Sequence, residues 1–127
     1  MALTITRVAK RNPLDRTADP KHYAVASHSG KLELDDLASA IADRCSLRRA
    51  DVYGVLVALV DLIPDELRNG KIISMGLLGS FYVSVKSEGE TTSNDVSTSS
   101  VKGYKLIYRP TKKLKKQLLL VDLTLPD

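Results

Sequence analysis

The apolar positions of this chain change period as it is read from one end to the other. Leu34, Leu37, Ala38, Ile41, Ala42 and Cys45 follow i, i+3, i+4, i+7, i+8, i+11, the stripe of an amphipathic helix. Ser46-Leu47-Arg48-Arg49 breaks it. Val52, Val55, Leu56, Leu59, Val60, Ile63 and Leu67 then lie on one broad face of a longer helix, with Asn69-Gly70 as its stop. Pro64 cannot donate an amide, so a kink or restart is expected there. Beyond Gly70 the period falls to two. Phe81, Val83 and Val85 alternate with Tyr82, Ser84 and Lys86, which predicts a half-buried strand. Lys71–Met75 and Phe81–Lys86 form a hairpin around Gly76 and Gly79. Glycine has no Cβ and tolerates φ > 0, so this turn marks a place where backbone passes close to something.

Residues 87–103 are polar and rich in Ser and Thr, with almost no apolar anchor. A stretch of this kind inside a compact domain reads as a flap or arm. Tyr104–Arg109 returns as a strand. Residues 111–121 read as a short helix with Leu114, Leu118 and Val121 inward and four lysines outward. The tail, 122–127, carries Leu123-Thr124-Leu125, for which a closing strand stays open. At the other end, Leu3–Val8 is rich in β-branched residues, and Tyr23–Ala26 reads as a second short strand. Pro13 and Pro20 bracket a loop between them. The expected organisation is a β extension over 1–30, a core domain over 31–121, and a tail over 122–127.

Composition narrows the function classes. Hydrophobic residues make up 43% of the 127 positions and aromatics only 5%, so the core is aliphatic. No apolar run reaches 18 residues and no apolar leader opens the chain, so neither a membrane span nor a signal peptide is expected. The single cysteine, Cys45, forbids an intramolecular disulfide, and its place on the apolar stripe favours a buried small hydrophobe over a nucleophile. His22 and His28 have no companions for a metal site. Glu33, Asp35 and Asp36 sit in the first turn of a helix, where its dipole favours acids. No Gly-rich phosphate loop, paired metal ligands or base-activated nucleophile is present, so no enzyme, cofactor or small-molecule substrate is expected.

The net charge is only +4 but uneven. Residues 1–31 hold six Lys/Arg against two Asp, residues 32–69 hold four against eight acids, and residues 110–127 hold four Lys against two Asp. Basic ends around an acidic helical middle suggest a positive face for polyanions.

Three stretches carry a resemblance. Gly76-Leu77-Leu78-Gly79-Ser80-Phe81 resembles a Gly-x-x-Gly-[Ser/Thr]-Phe hairpin. Tyr108-Arg109-Pro110-Thr111-Lys112-Lys113-Leu114-Lys115 is similar to an aromatic-Arg-Pro-Gly-x-x-Leu-Lys entry to a last helix. Ser46-Leu47-Arg48-Arg49-Ala50-Asp51-Val52 resembles an inter-helix turn. Together, over roughly residues 31–120, they resemble the HU/IHF family of bacterial histone-like DNA-bending proteins. Residues 1–30 resemble the extension of an HU-related subgroup.

The resemblance implies an α+β fold: two N-terminal helices, a three-stranded antiparallel sheet with a β-arm, and a C-terminal helix, here with an added N-terminal strand pair. It implies a homodimer whose saddle holds double-stranded DNA in the bacterial cytoplasm, at the nucleoid. Carried over by position, Lys86, Lys102 and Lys105 flank the arm. Arg109, Thr111, Lys112 and Lys113 stand where the last helix begins, followed by Lys115 and Lys116. Helix N-termini and Lys/Arg side chains both favour phosphate. Several residues depart from the family pattern. Residues 87–103 hold no Pro, no Arg and one Lys, so no kinking wedge is visible, and Thr111 replaces the family's Gly. Arg48 stands where a Ser or Thr cap is expected. These departures argue against strong bending and tight binding. The expected function is non-enzymatic, largely sequence-independent DNA binding. The alternative is the same fold reused for protein interaction or scaffolding.

Overall fold

The structure is a computed structural model that describes residues 2–125; Met1 and the last two positions of the tail, Pro126 and Asp127, lie outside the described residues. It contains three helices and two three-stranded sheets, a mixed α+β architecture. The chain divides into two compact units, residues 1–33 with 117–127, and residues 34–116.

The first unit is built on β1 (Leu3–Lys10) and β2 (Lys21–Ser27), paired antiparallel from Thr4↔Ser27 to Lys10↔Lys21. Both strands are longer than their apolar runs suggest, because cross-strand pairing carries them to the loop. The turns of that loop are held by side chains. Asn12 accepts from the Leu14 amide at 3.0 Å, and the Asp15 carboxylate accepts from the Thr17 hydroxyl at 2.6 Å and the Thr17 amide at 3.1 Å. The Thr17 hydroxyl, then the Thr17 amide, holds the Asp15 carboxyl below its ordinary value, because both favour the ionised form. The tail closes the sheet. Leu123–Thr124 forms a short strand, β6, parallel to β1 at Leu3 and Thr4.

The second unit begins with α1 (Leu34–Ala42) and α2 (Arg49–Arg68). They meet through Ala38, fully buried, and Val52, 4% exposed. Arg49 reaches back from the start of α2 to α1, donating to Ser39 Oγ at 2.9 Å and pairing with Asp35. Both partners are more than half exposed, so the pair positions the helices more than it stabilises them. Asp35 is thus a cross-helix partner as well as a dipole acid. Arg48 precedes α2 with extended backbone and no side-chain cap.

Three details differ from the pattern-based expectation. Cys45 is exposed, not buried. The Arg44 and Cys45 amides bond three residues back, to Ile41 and Ala42, so the helix tightens at its end and Cys45 rotates off the stripe. Second, α2 does not restart at Pro64 but continues through it, its stripe going on at half-buried Ile63 and Leu67. Third, the last helix, α3, stops at Leu118, and both Leu118 and Val121 are exposed.

The second sheet orders β3 (Ile73–Ser74), β4 (Ser80–Ser87) and β5 (Val101–Arg109) as an antiparallel meander. Phe81 faces both Ile73 and Tyr108, and the Phe81 and Tyr108 rings stack at 4.9 Å. Such a stack contributes about 0.5–1.5 kcal/mol beyond burial. β5 starts at Val101, earlier than its apolar run. The register slips between Lys86 and Ser87, leaving Lys102 as the extra residue of a bulge. Residues 88–100 fold into two 3-10 turns over Ser93–Asp95 and Thr98–Ser100. Ser100, 3% exposed, anchors them. Its hydroxyl donates to Glu90 at 3.0 Å and accepts from the Ser97 amide at 3.2 Å, while its carbonyl accepts from the Glu88 amide at 2.9 Å.

Candidate nucleic-acid interface

The two glycine- and proline-marked motifs, thirty residues apart in sequence, meet in space. Gly76–Leu78 forms a single 3-10 turn, with Gly76 at φ +60° and Gly79 at φ +116°. A β-carbon at Gly79 would lie 2.1 Å from the Arg109 carbonyl oxygen and 2.8 Å from Pro110 Cα, both backbone atoms. The close backbone approach that the glycines call for is therefore to the Arg109-Pro110 link. Two hydroxyls complete the clamp. Tyr108 Oη donates to the Leu78 carbonyl and Thr111 Oγ1 to the Leu77 carbonyl, each at 2.5 Å. Thr111 Oγ1 also accepts from the Leu114 amide at 3.1 Å, which makes it the cap of α3 (Lys112–Leu118).

Directly opposed residues of an antiparallel pair share a face, so the register sorts the sheet into two surfaces. Phe81, Val83, Val85, Tyr104, Leu106 and Tyr108 lie on one. Ser80, Tyr82, Ser84, Lys86, Lys105, Ile107 and Arg109 lie on the other. The second face is polar and basic. Lys86 and Lys105 are diagonal neighbours near the bulge, and Arg109 lies four residues beyond Lys105 along the same strand face. From Arg109 to the level of Lys86 this row extends about 20 Å. Arg109 Nε donates to the Tyr82 hydroxyl at 2.7 Å, and the guanidinium stands 5.8 Å from the centre of that ring. Tyr82 thus aims Arg109. The strand alternation places them on one face, but only the register makes them partners.

The four α3 lysines form a second basic group. At 100° per residue Lys112, Lys113, Lys115 and Lys116 occupy an arc of about 160°, opposite half-buried Leu114. No acid occupies the helix's first turn. Lys112 and Lys113 sit there instead, each unfavourable against the helix dipole by about 0.3–1 kcal/mol. Lys112 and Lys116 are also like charges one turn apart. Among the described residues none of these lysines, nor Lys86 or Lys105, makes an ion pair. Lys102 does, with Glu88 at 3.7 Å. Of the arm-base lysines, then, Lys86 and Lys105 share the basic face, and Lys102 stands apart at the bulge with an acid beside it. His22 and His28 are exposed, and no group of three or more His, Cys, Asp or Glu that could hold a metal occurs among the described residues.

Residues 1–123 match the family model described as an HU domain fused to a wHTH, Ig or glycine-rich motif, HU-HIG. The chain belongs to the HU-HIG family. Among solved structures, this HU-HIG chain is similar to one named a "putative bacterial DNA binding protein", from Bacteroides vulgatus ATCC 8482. Identity is 10% and the TM-score 0.63, so the likeness is one of fold. It covers 97% of this chain and 47% of that one, so the HU-HIG chain spans about half of the neighbour's length. None of the curated proteins matches the chain.

Proposed function

We propose that this HU-HIG protein is a non-enzymatic, architectural DNA-binding protein that holds double-stranded DNA by its phosphates, largely without regard to sequence. The observation that carries the reading is the basic row of Lys86, Lys105 and Arg109 on one sheet face, with Lys112, Lys113, Lys115 and Lys116 on α3. Membership of an HU-type family supports it, as does the name of the B. vulgatus neighbour. Lys112 and Lys113, held in the first turn against the helix dipole, are accounted for by an anionic partner that offsets that cost. The row's length of about 20 Å spans about six phosphate steps of one DNA strand. In this reading Thr111 acts by capping α3, and Lys102 contributes less than Lys86 and Lys105.

The functional form is a homodimer. One protomer exposes 11023 Å². Two separate compact units of these sizes would together expose about 8,000 Å². The excess is apolar where it can be assigned. Val83, Val85, Tyr104, Leu106 and Tyr108 of the sheet's apolar face are each at least 41% exposed. A cleft of about 470 Å³ between Leu67, Arg68, Val83 and Tyr104 marks where α2 leaves that face. On α2 itself Val55, Val60 and Leu62 are more than half exposed. A second copy would cover both surfaces and bring two basic rows together. The site of action would be the bacterial nucleoid.

The test is fluorescence anisotropy with a labelled duplex of about 30 base pairs, titrated across salt concentrations. With three or four phosphate contacts per protomer of a dimer, the sheet row and α3 by themselves contribute a slope of about −5 to −7 in log K against log salt. Absence of binding at low salt overturns the reading. The protein-interaction alternative then takes its place, favoured by the acidic, Ser/Thr-rich turns over 88–100 and the Glu88–Lys102 pair.

A further inference from the structure

The N-terminal hairpin carries a charge arrangement that the sheet site does not use. At its loop end the register sets Lys10 directly opposite Lys21. Their Cα atoms are about 5 Å apart, and like charges so placed are destabilising. Arg11 follows immediately, and the Lys10 ammonium stands 5.8 Å from the centre of the Tyr23 ring on the same strand face. Lys10, Arg11, Lys21 and Tyr23 line one cleft of about 420 Å³, together with Asp19 and the loop residues Asn12, Pro13 and Ala18. Arg16 adds a further cation on the loop. Of the loop's two acids, Asp15 accepts from Thr17, and Asp19 lines the cleft. Among the described residues none of Arg7, Lys10, Arg11, Arg16 or Lys21 makes an ion pair. The ion pairs seen among the described residues, Lys31–Glu33, Arg49–Asp35, Arg68–Asp65 and Lys102–Glu88, all lie outside the hairpin tip.

We propose that the tip of the β1–β2 hairpin is a second contact surface for the phosphodiester backbone of duplex DNA, carried by Lys10, Arg11 and Lys21. This rests on the DNA-binding reading above and adds a second, independent surface to it. A phosphate lodged between Lys10 and Lys21 turns their repulsion into a shared attraction, and Arg11 supplies a fork that grips phosphate oxygens. Tyr23 holds Lys10 at the cleft and presents an aromatic edge to a sugar. The side chains named make backbone contacts and offer no base-reading pair, so the surface adds affinity and no sequence preference.

The experiment compares the full-length protein with the Lys10→Gln/Arg11→Gln/Lys21→Gln variant, using the labelled duplex across a salt series. The variant is expected to bind more weakly and to lose about 2–3 units of salt slope per protomer, about 0.9 for each phosphate contact removed. The variant should keep its fold, since neutralising Lys10 and Lys21 relieves a repulsion; a circular-dichroism melt checks this. Lys10→Arg/Lys21→Arg should bind as the unaltered protein does. Arg44→Gln, an exposed cation outside both basic surfaces, controls for net charge. In the full-length protein, amide resonances of residues 10–21 should shift when duplex is added. The proposal is overturned if the unaltered protein binds with a steep salt slope while the glutamine variant keeps the same slope and affinity. It is also overturned if Arg44→Gln loses a third or more of what the triple variant loses, or if residues 10–21 respond to a polyglutamate peptide and not to duplex. If the unaltered protein fails to bind DNA at all, the DNA-binding reading itself has failed.

Discussion

Replacing Gly79 by alanine tests how the two motifs are locked together. The backbone at Gly79 has φ +116° and ψ −158°, a region that only glycine populates without strain. An L-residue there costs about 1–3 kcal/mol. The added β-carbon also lands 2.1 Å from the Arg109 carbonyl oxygen and 2.9 Å from the Arg109 carbonyl carbon. Neither belongs to a flexible side chain, so β4 must move away from the end of β5, at the 1–3 kcal/mol typical of overpacking. The sum is about 2–6 kcal/mol, a large share of the 5–15 kcal/mol that holds most domains folded. Gly76→Ala is the internal comparison. It has φ +60° and nothing within 4 Å of its would-be β-carbon, so only the left-handed strain of about 1–2 kcal/mol applies. Urea unfolding at fixed protein concentration reads the difference. With a slope near 2 kcal/mol/M, the midpoint of Gly79→Ala falls by about 2 M and that of Gly76→Ala by less than 1 M. Equal midpoint losses for the two variants would refute the close packing of Gly79 on Arg109.

Two further predictions concern the basic helix and the loop beyond the sheet. Lys112→Gln with Lys113→Gln should stabilise α3 by about 0.3–1 kcal/mol for each residue, while lowering the salt slope of duplex binding by about 1–2 units per protomer. Thermal unfolding and the salt series together check this, and a variant that loses stability without losing affinity contradicts it. Ser100→Ala removes the buried hydroxyl that joins Glu90 to the Ser97 amide. The loss is about 1–2 kcal/mol, so amide exchange over residues 88–100 should quicken about 5- to 30-fold. Unchanged exchange would mean that the turns stand without Ser100.

The legible parts of the fold are those in which a short-range rule has no competitor. The stripe from Leu34 to Ala42 is a helix because 3.6-residue periodicity, first-turn acids and helix-forming residues agree. The alternation from Phe81 to Val85 is a strand for the same reason. Cys45 leaves the apolar stripe because the helix ends before it, at the point where bonding three residues back shifts every later side chain. The helix does not restart at Pro64, because one lost amide bond leaves the rest of α2 intact on either side. The undecided tail segment Leu123-Thr124 became a strand only because Leu3 and Thr4 offered an open edge.

The candidate site divides along the same line. Charge, glycine placement and strand period are written in residue order, so the sequence alone identified the cations and the turn. Which cations stand together depends on register, which involves residues fourteen or more positions apart. Alternation along β5 already puts Lys105 and Arg109 on one face and Lys102 off it, but only the register brings Lys86 from β4 to the same face. Tyr82 as the residue that aims Arg109, Thr111 as a cap tied to Leu77, and Lys10 opposite Lys21 are likewise products of pairing. Local propensity sets what each segment can be, because its energies act within a few residues. Only tertiary structure decides which polar groups face one another, because that choice is made by the burial and hydrogen bonding of the chain as a whole.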